Sequence, residues 1–256
     1  MSFYIYFFVS LLLKTNKRNM NILPNSTIGE VVKLNFKTAA LFKANNIDYC
    51  CGGNINIGDA CKEAGINPEQ LIKQLEALTA QDDPDSEYIN NLELDELCAY
   101  IVKRHHAYVQ NSIPLLIKNL EKVCQVHGEH HPELYVIKEL FIKSAGNLTT
   151  HMQKEEIILF PYIQRLVSAV RENSPLPKSP FGSVSNPIGM MMEEHRTEGE
   201  RFDEILKLSK NYQLPEDACT TYEVTYKQLK DFENDLHRHI HLENNILFPK
   251  AIEIEH

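Results

Sequence analysis

His151-Met152-Gln153-Lys154-Glu155, followed by Leu159-Phe160-Pro161, returns later as His239-Ile240-His241-Leu242-Glu243, followed by Leu247-Phe248-Pro249. The two stretches are 88 residues apart (239 minus 151), and an offset of 89 (195 minus 106) relates His106 to His195. A histidine and a glutamate at i and i+4 lie on one face of a helix, about 6 Å apart along its axis. The surroundings are helical in pattern from Leu92 onward, with breaks at His127 to Pro132, Asn173 to Pro187 and Leu214-Pro215. Four long helices are predicted, over about 92–125, 133–171, 188–212 and 216–253. Strand-like alternation is absent and the connections are short to moderate. The fold class is therefore all-α, with an antiparallel four-helix bundle made of two similar helix pairs.

Helical phase selects which histidines face the bundle interior, because a ligand must share the apolar stripe of its helix. The first helix has the row Val102, His106, Val109, Ile113, Leu116, Leu120, Val123. In the second helix the row is Ile137, Phe141, Ser144, Leu148, His151, Glu155, Ile158, Tyr162. The third helix offers Ile188, Met191, His195, Phe202, Ile205, and the fourth Leu229, Phe232, Leu236, His239, Glu243, Ile246. His105 shares a mixed row with Tyr108 and Ser112 and is set aside. His237 and His241 align with Glu233 and Asn244 on a polar face and are set aside as well.

A single histidine on an apolar row is more often a hydrogen-bonded core residue than a ligand, and a buried glutamate can belong to an ion pair. Six ionisable groups facing one core are another matter, since their desolvation is costly unless a cation neutralises the carboxylates. His106, His151, Glu155, His195, His239 and Glu243 supply four nitrogens and two carboxylates able to bridge, a set for two metal ions. Mixed imidazole and carboxylate ligands in a bundle core suit a non-haem di-iron centre, with manganese or zinc as the competitors. Cysteines are badly placed for it: Cys98 precedes His106 by two turns, roughly 12 Å along the axis.

Ahead of the bundle, residues 20–80 read as a small helical domain. Thr27 and Glu30 have capping-box spacing, and Asn67-Pro68-Glu69-Gln70 places a cap and a first-turn proline before Leu71. Residues 81–91, beginning Gln81-Asp82-Asp83-Pro84-Asp85-Ser86, read as an acidic, proline-broken linker to the bundle domain at 92–256. Residues 1–19 form an apolar N-terminal extension, Phe3 to Leu13 followed by Lys14, Lys17 and Arg18. Its charge order is wrong for a secretory signal and its apolar run is short of the roughly 20 residues that span a bilayer. It is read as an upstream extension of the reading frame in preference to a weak anchor, and no stable membrane association is expected. With 26 Lys and Arg against 35 Asp and Glu, the formal charge is -9, and no basic block offers a footing for nucleic acid. The six cysteines lack the density of a disulfide scaffold, which predicts a reducing, cytoplasmic compartment.

Cys50 and Cys51 sit in the loop Asp48-Tyr49-Cys50-Cys51-Gly52-Gly53-Asn54 of the small domain. Adjacent Cα atoms are about 3.8 Å apart, too close for an unstrained disulfide between these two. Two readings stand: a redox or iron-handing loop made accessible by Gly52 and Gly53, or a buried turn with two small apolar side chains. His127 is unassigned, between a loop histidine and a residue supporting a ligand. No catalytic residue is assigned, and whether the chain is an enzyme is left open.

On these residues the bundle resembles the hemerythrin-like domain. The chain after Met20 resembles the bacterial iron-sulfur cluster repair di-iron proteins (the RIC family), whose double-cysteine N-terminal domain is of ScdA type. The resemblance rests on Asp48 through Gly53, on His151 through Glu155 with its Leu-Phe-Pro tail, on Glu194-His195, and on His239 through Pro249. It implies two iron ions held by the same six residues. It further implies repair of iron-sulfur clusters damaged by oxidative or nitrosative stress, through iron donation or nitric oxide chemistry. The partners it implies are damaged iron-sulfur proteins and nitric oxide or oxygen as small ligands; a homodimer is compatible with the sequence. The alternative is a hemerythrin-like protein that binds or senses oxygen or nitric oxide without repair activity. The two-carboxylate set and the cysteine loop favour repair.

Overall fold

The computed structural model describes residues 21–255, and the apolar extension expected at 1–19 lies outside them. Among the described residues the regular structure is helical, with one isolated antiparallel bridge between Thr27 and Asn56. The small domain is α1 (Ile28–Leu34), α2 (Thr38–Ala44), α3 (Ile57–Ala64) and α4 (Pro68–Thr79). The start signals act as expected. Thr27 and Glu30 exchange side-chain to backbone hydrogen bonds, and the Asn67 side chain accepts from the N–H groups of Glu69 and Gln70.

The segment expected as a linker contains α5 (Pro84–Asn90) and is fastened to the small domain. Asp83 Oδ2 accepts from the Phe36 N–H at 3.0 Å, and Asn35 Nδ2 donates to the carbonyls of Leu78 and Gln81. Asp83 thus ties the segment to the small domain as a hydrogen-bond acceptor.

The first bundle helix is α6 (Leu94–Ile101) continued by α7 (Ala107–His127); the second is α8 (Glu133–Lys154) continued by α9 (Phe160–Arg171). The third is α10 (Ser185–Leu208), and the fourth is α11 (Thr220–Leu242) continued by α12 (Phe248–Glu255). The third helix ends before the expected 212 because Lys210, Asn211 and Tyr212 take left-handed backbone conformations, with φ of 50°, 62° and 59°. That turn is held by the Tyr212 hydroxyl, which donates to Glu233 Oε2 at 2.7 Å.

The joins between the paired segments are wide π turns at Val102–His106, Glu155–Leu159 and Glu243–Leu247. In each, an N–H donates five residues back: Ala107 to Val102, Phe160 to Glu155, Phe248 to Glu243. Such turns are rare and gather at functional sites. Each carries an extra residue and rotates the helical phase, which corrects the inward rows at two places. Ile158, expected inside, is 47% exposed while Leu159 is buried; Val102 is half-buried while Ile101 takes the interior position.

The bundle interior is layered. One apolar cluster runs through Val109, Leu116, Phe141, Leu148 and Phe232 and joins the small-domain core at Val31, Phe42 and Leu75. A second is built from Leu97, Ile101, Leu159, Ile163, Leu247 and Phe248. His106, His151, Glu155, His195, His239 and Glu243 lie in the layer between them.

Candidate metal centre

All six residues expected as ligands are buried and converge from the four bundle helices. They form two groups, His106 with His239 and His151 with His195, and both groups contain Glu155 and Glu243. Each glutamate spans them. Glu155 Oε2 lies 3.3 Å from His106 Nε2 while its Oε1 lies 3.3 Å from His151 Nε2. Glu243 Oε1 lies 2.9 Å from His239 Nε2 while its Oε2 lies 3.1 Å from His195 Nε2. The π turns begin at these two glutamates and end at His106, so the widened backbone occurs where the carboxylates enter the core.

The outward ring nitrogens decide which way the inner ones face. His106 Nδ1 is 2.8 Å from Glu156 Oε1, His151 Nδ1 is 2.9 Å from Glu194 Oε2, and His195 Nδ1 is 2.8 Å from Asn244 Oδ1. An imidazole that donates from Nδ1 to an oxygen presents its Nε2 lone pair on the other side. In this arrangement the facing Nε2 atoms of His151 and His195, 3.0 Å apart, and of His106 and His239, 3.2 Å apart, need a cation or a shared proton between them. Both oxygens of Glu155 and Oε2 of Glu243 are buried without a hydrogen bond of normal geometry. Orphaned acceptors at this depth cost several kcal/mol per ion unless a charge compensates. The residues fit two metal ions.

Without metal, protons take that place. Burial works against charge on His106 and His151, but Glu155 outweighs it, raising His106 and carrying His151 to about 10, with Glu194 also helping the latter. Burial and Glu243 push Glu155 upward, but the neighbouring histidines win and hold it below the ordinary carboxylate value. Glu243 is held well below that value: burial opposes its charge, and His239 and His195 overcome the penalty.

Five further residues support the rings, and the repeat contains their signal. Glu156 and Asn244 each follow a core glutamate, 88 residues apart (244 minus 156), and serve His106 and His195 in the same way. Phe160 and Phe248 of the Leu-Phe-Pro tails stack on the same two histidines, with ring centroids 5.8 and 6.0 Å away. Glu194, quoted only as a motif residue, holds His151 and also pairs with Lys154. Its repeat equivalent is His105 (194 minus 89), which stacks on His239 at 5.6 Å and leaves His239 Nδ1 without a partner. The two halves are thus unequal. A cavity of about 270 Å³ reaches the His151 and His195 half, lined also by Lys154, Glu194, Thr197 and Glu198.

His237 and His241 take no part in either group, but their polar face is buried under the small domain. Tyr49 packs on both rings and Phe36 on His241, while Lys43 reaches Glu233 at 2.6 Å. His127 lies roughly 31 Å along the first helix from His106, too far to support a ligand. It is a buried residue at the bundle end, its ring 5.2 Å from Tyr222. Contact with His127, and then the N–H groups of Tyr222 and Thr221, lower the exposed Cys219 thiol to about 7.

The Cys50-Cys51 loop is pressed against the bundle. Asn244 and Asn245 donate to the Cys50 carbonyl at 3.4 and 3.2 Å, so a single side chain, Asn244, joins this loop to His195. Gly53 and Gly29 allow this close approach. A Cβ on Gly53 would stand 2.1 Å from Asn245 Oδ1, and one on Gly29 2.6 Å. Cys50 is buried and Cys51 half-buried; both are free thiols with sulfurs 4.0 Å apart.

A four-helix bundle that buries four histidines and two shared glutamates between apolar layers defines the class of hemerythrin-like cation-binding proteins. Residues 98–251 match the hemerythrin HHE cation binding domain, and residues 24–79 match the ScdA N-terminal domain, described as a domain of unknown function. The chain is 34% identical to the iron-sulfur cluster repair protein YtfE of Yersinia pestis (strain Pestoides F) and to that of Yersinia pseudotuberculosis (strain YPIII). Each match runs over 232 residues, 90% of this chain and 98% of the relative. The chain belongs to the YtfE-type family of iron-sulfur cluster repair proteins. Among the described residues no helix is long and apolar enough to cross a membrane.

Proposed function

We propose that this protein repairs iron-sulfur clusters damaged by oxidative or nitrosative stress in the cytoplasm, with His106, His151, Glu155, His195, His239 and Glu243 holding two iron ions. The observation that carries this reading is the spanning of both histidine pairs by each glutamate. With two divalent ions, two carboxylates and four neutral imidazoles leave a net positive centre, one that holds iron without the finality of a thiolate cage. Two irons so held would supply metal for a damaged cluster and electrons for nitric oxide.

The chain's own residues set the conditions. Glu156, Glu194 and Asn244 orient three imidazoles, Phe160 and Phe248 floor the layer, and the apolar clusters keep bulk water out. The cavity beside His151 and His195 provides the route for a small ligand such as nitric oxide or oxygen. That cavity also favours a second reading, a binding or sensing protein without repair activity. Iron-loaded protein mixed with a cluster-damaged dehydratase separates the two. Recovery of dehydratase activity, dependent on Glu155 and Glu243, is the expected result; no recovery together with reversible oxygen binding would establish the second reading.

A further inference from the structure

Asp48, Cys50 and Cys51 offer one carboxylate oxygen and two sulfurs that lie within 4.8 Å of one another. We propose that these three residues form a third metal site, for one divalent transition ion of borderline softness, beside the histidine-glutamate centre. Sulfurs 4.0 Å apart can both bind one ion at a metal–sulfur length of about 2.3 Å with an angle near about 120°. The Cys50 thiol lies 3.1 Å from Asp48 Oδ1, so the hydrogen it shares with that oxygen occupies the place a cation would take.

The loop is built to hold the three groups together. Asp48 Oδ1 accepts from the N–H groups of Cys50 and Cys51 at 2.8 and 3.0 Å, and Oδ2 accepts from Gly52 at 2.9 Å. This closes a turn that sends both cysteine side chains to the carboxylate. Asp48 is exposed and Cys51 half-buried, which leaves a coordination position open toward solvent, as in sites that exchange their occupant.

Binding would release the two thiol protons to solvent as two metal–sulfur bonds form, with no electron transferred. Contact with Cys51, burial and the charge of Asp48 keep the Cys50 thiol protonated when no metal is present.

Position gives the site its role. Asn244 joins the Cys50 carbonyl to His195, and Cys51 Sγ lies 3.7 Å from where a Cβ of Gly199 would stand, one helical turn beyond His195 on α10. An ion here would be a transit ion between the centre and a client. The transit role rests on the metal-storage reading of the bundle, whereas the existence of the site does not.

The test is a cobalt(II) titration of the full chain, kept reduced, with the bundle sites first loaded with iron. One further equivalent is expected to bind with a thiolate-to-cobalt charge-transfer band. Cys50→Ser with Cys51→Ser should abolish the band and leave two bundle metals per chain; Asp48→Asn should weaken binding by at least about tenfold, the least that loss of a residue merely supporting a ligand costs. Glu243→Gln should lose bundle metal and keep the band, so that failure of one site is separable from failure of the other. Absence of the band from the unsubstituted chain, or its persistence in the double serine variant, overturns the proposal. Should that variant not fold, cobalt protection of Cys51 from alkylation in the unsubstituted chain decides: protection supports the site, and none overturns it.

Discussion

Asn244 accepts the Nδ1 hydrogen of His195 at 2.8 Å. The same side chain donates from its amide nitrogen to the Cys50 carbonyl at 3.4 Å. One residue therefore both orients an imidazole of the centre and anchors the small domain. Asn244→Leu removes the acceptor and frees His195 to rotate or change tautomer. Metal affinity should fall by about 10- to 100-fold, as measured by competition with a chelator. An unchanged affinity would show that packing on Phe248 alone orients the ring.

Glu155 and Glu243 each serve two histidines, so neither half of the centre survives the loss of one of them intact. Glu155→Gln or Glu243→Gln should bring metal content well below two per chain. His241→Gln, on the face covered by Tyr49, should leave it near two. Metal analysis of purified proteins checks this directly; a matching loss in the His241 variant would place the centre on the wrong face of α11.

The stability of the metal-free protein should depend on pH in a way the loaded protein reverses. His151 has a folded value near 10 against an ordinary 6.5, so its contribution is complete below pH 6.5 and is lost as pH rises through about 10. Glu155 and Glu243 are depressed below 4.5, so theirs is present above that value and lost as pH falls. Metal replaces the imidazole protons, and its binding strengthens as pH rises. The gap in Tm between loaded and metal-free protein should therefore widen from pH 7 to about 9.5. A constant gap across that range would mean that metal displaces no proton from these rings.

Cys219 should be the fast-reacting thiol at neutral pH. Its thiolate forms around pH 7 because His127 and the first N–H groups of α11 favour the anion. The alkylation rate should rise through pH 7, and His127→Ala should move that rise upward by at least about one pH unit. A profile centred near the ordinary 9.0 in the unsubstituted chain would contradict the contact.

The six core residues were legible from spacing because a repeated i, i+4 pair within an apolar stripe leaves its side chains one direction to point. His105, His237 and His241, which the rows set aside, stand outside both histidine-glutamate groups. Their burial was not foreseeable, because it comes from neighbours distant in sequence: Tyr49 and Phe36 on one face, the ring of His239 on the other. The rows failed at Ile158 and Val102, where a π turn inserts a residue that a regular 3.6-residue period cannot anticipate.

Local pattern was enough for the all-α class, the two helix pairs and the identity of the six inward groups, since helical periodicity and capping act over a few residues. Tertiary structure alone decided that each glutamate faces two histidines. It also decided that Glu156, Glu194 and Asn244 hold the outer ring nitrogens, and that the cysteine loop rests against Asn244, which holds His195. Those contacts join residues 43 to 194 positions apart, and only the packing of complete helices brings such distant side chains within hydrogen-bonding distance.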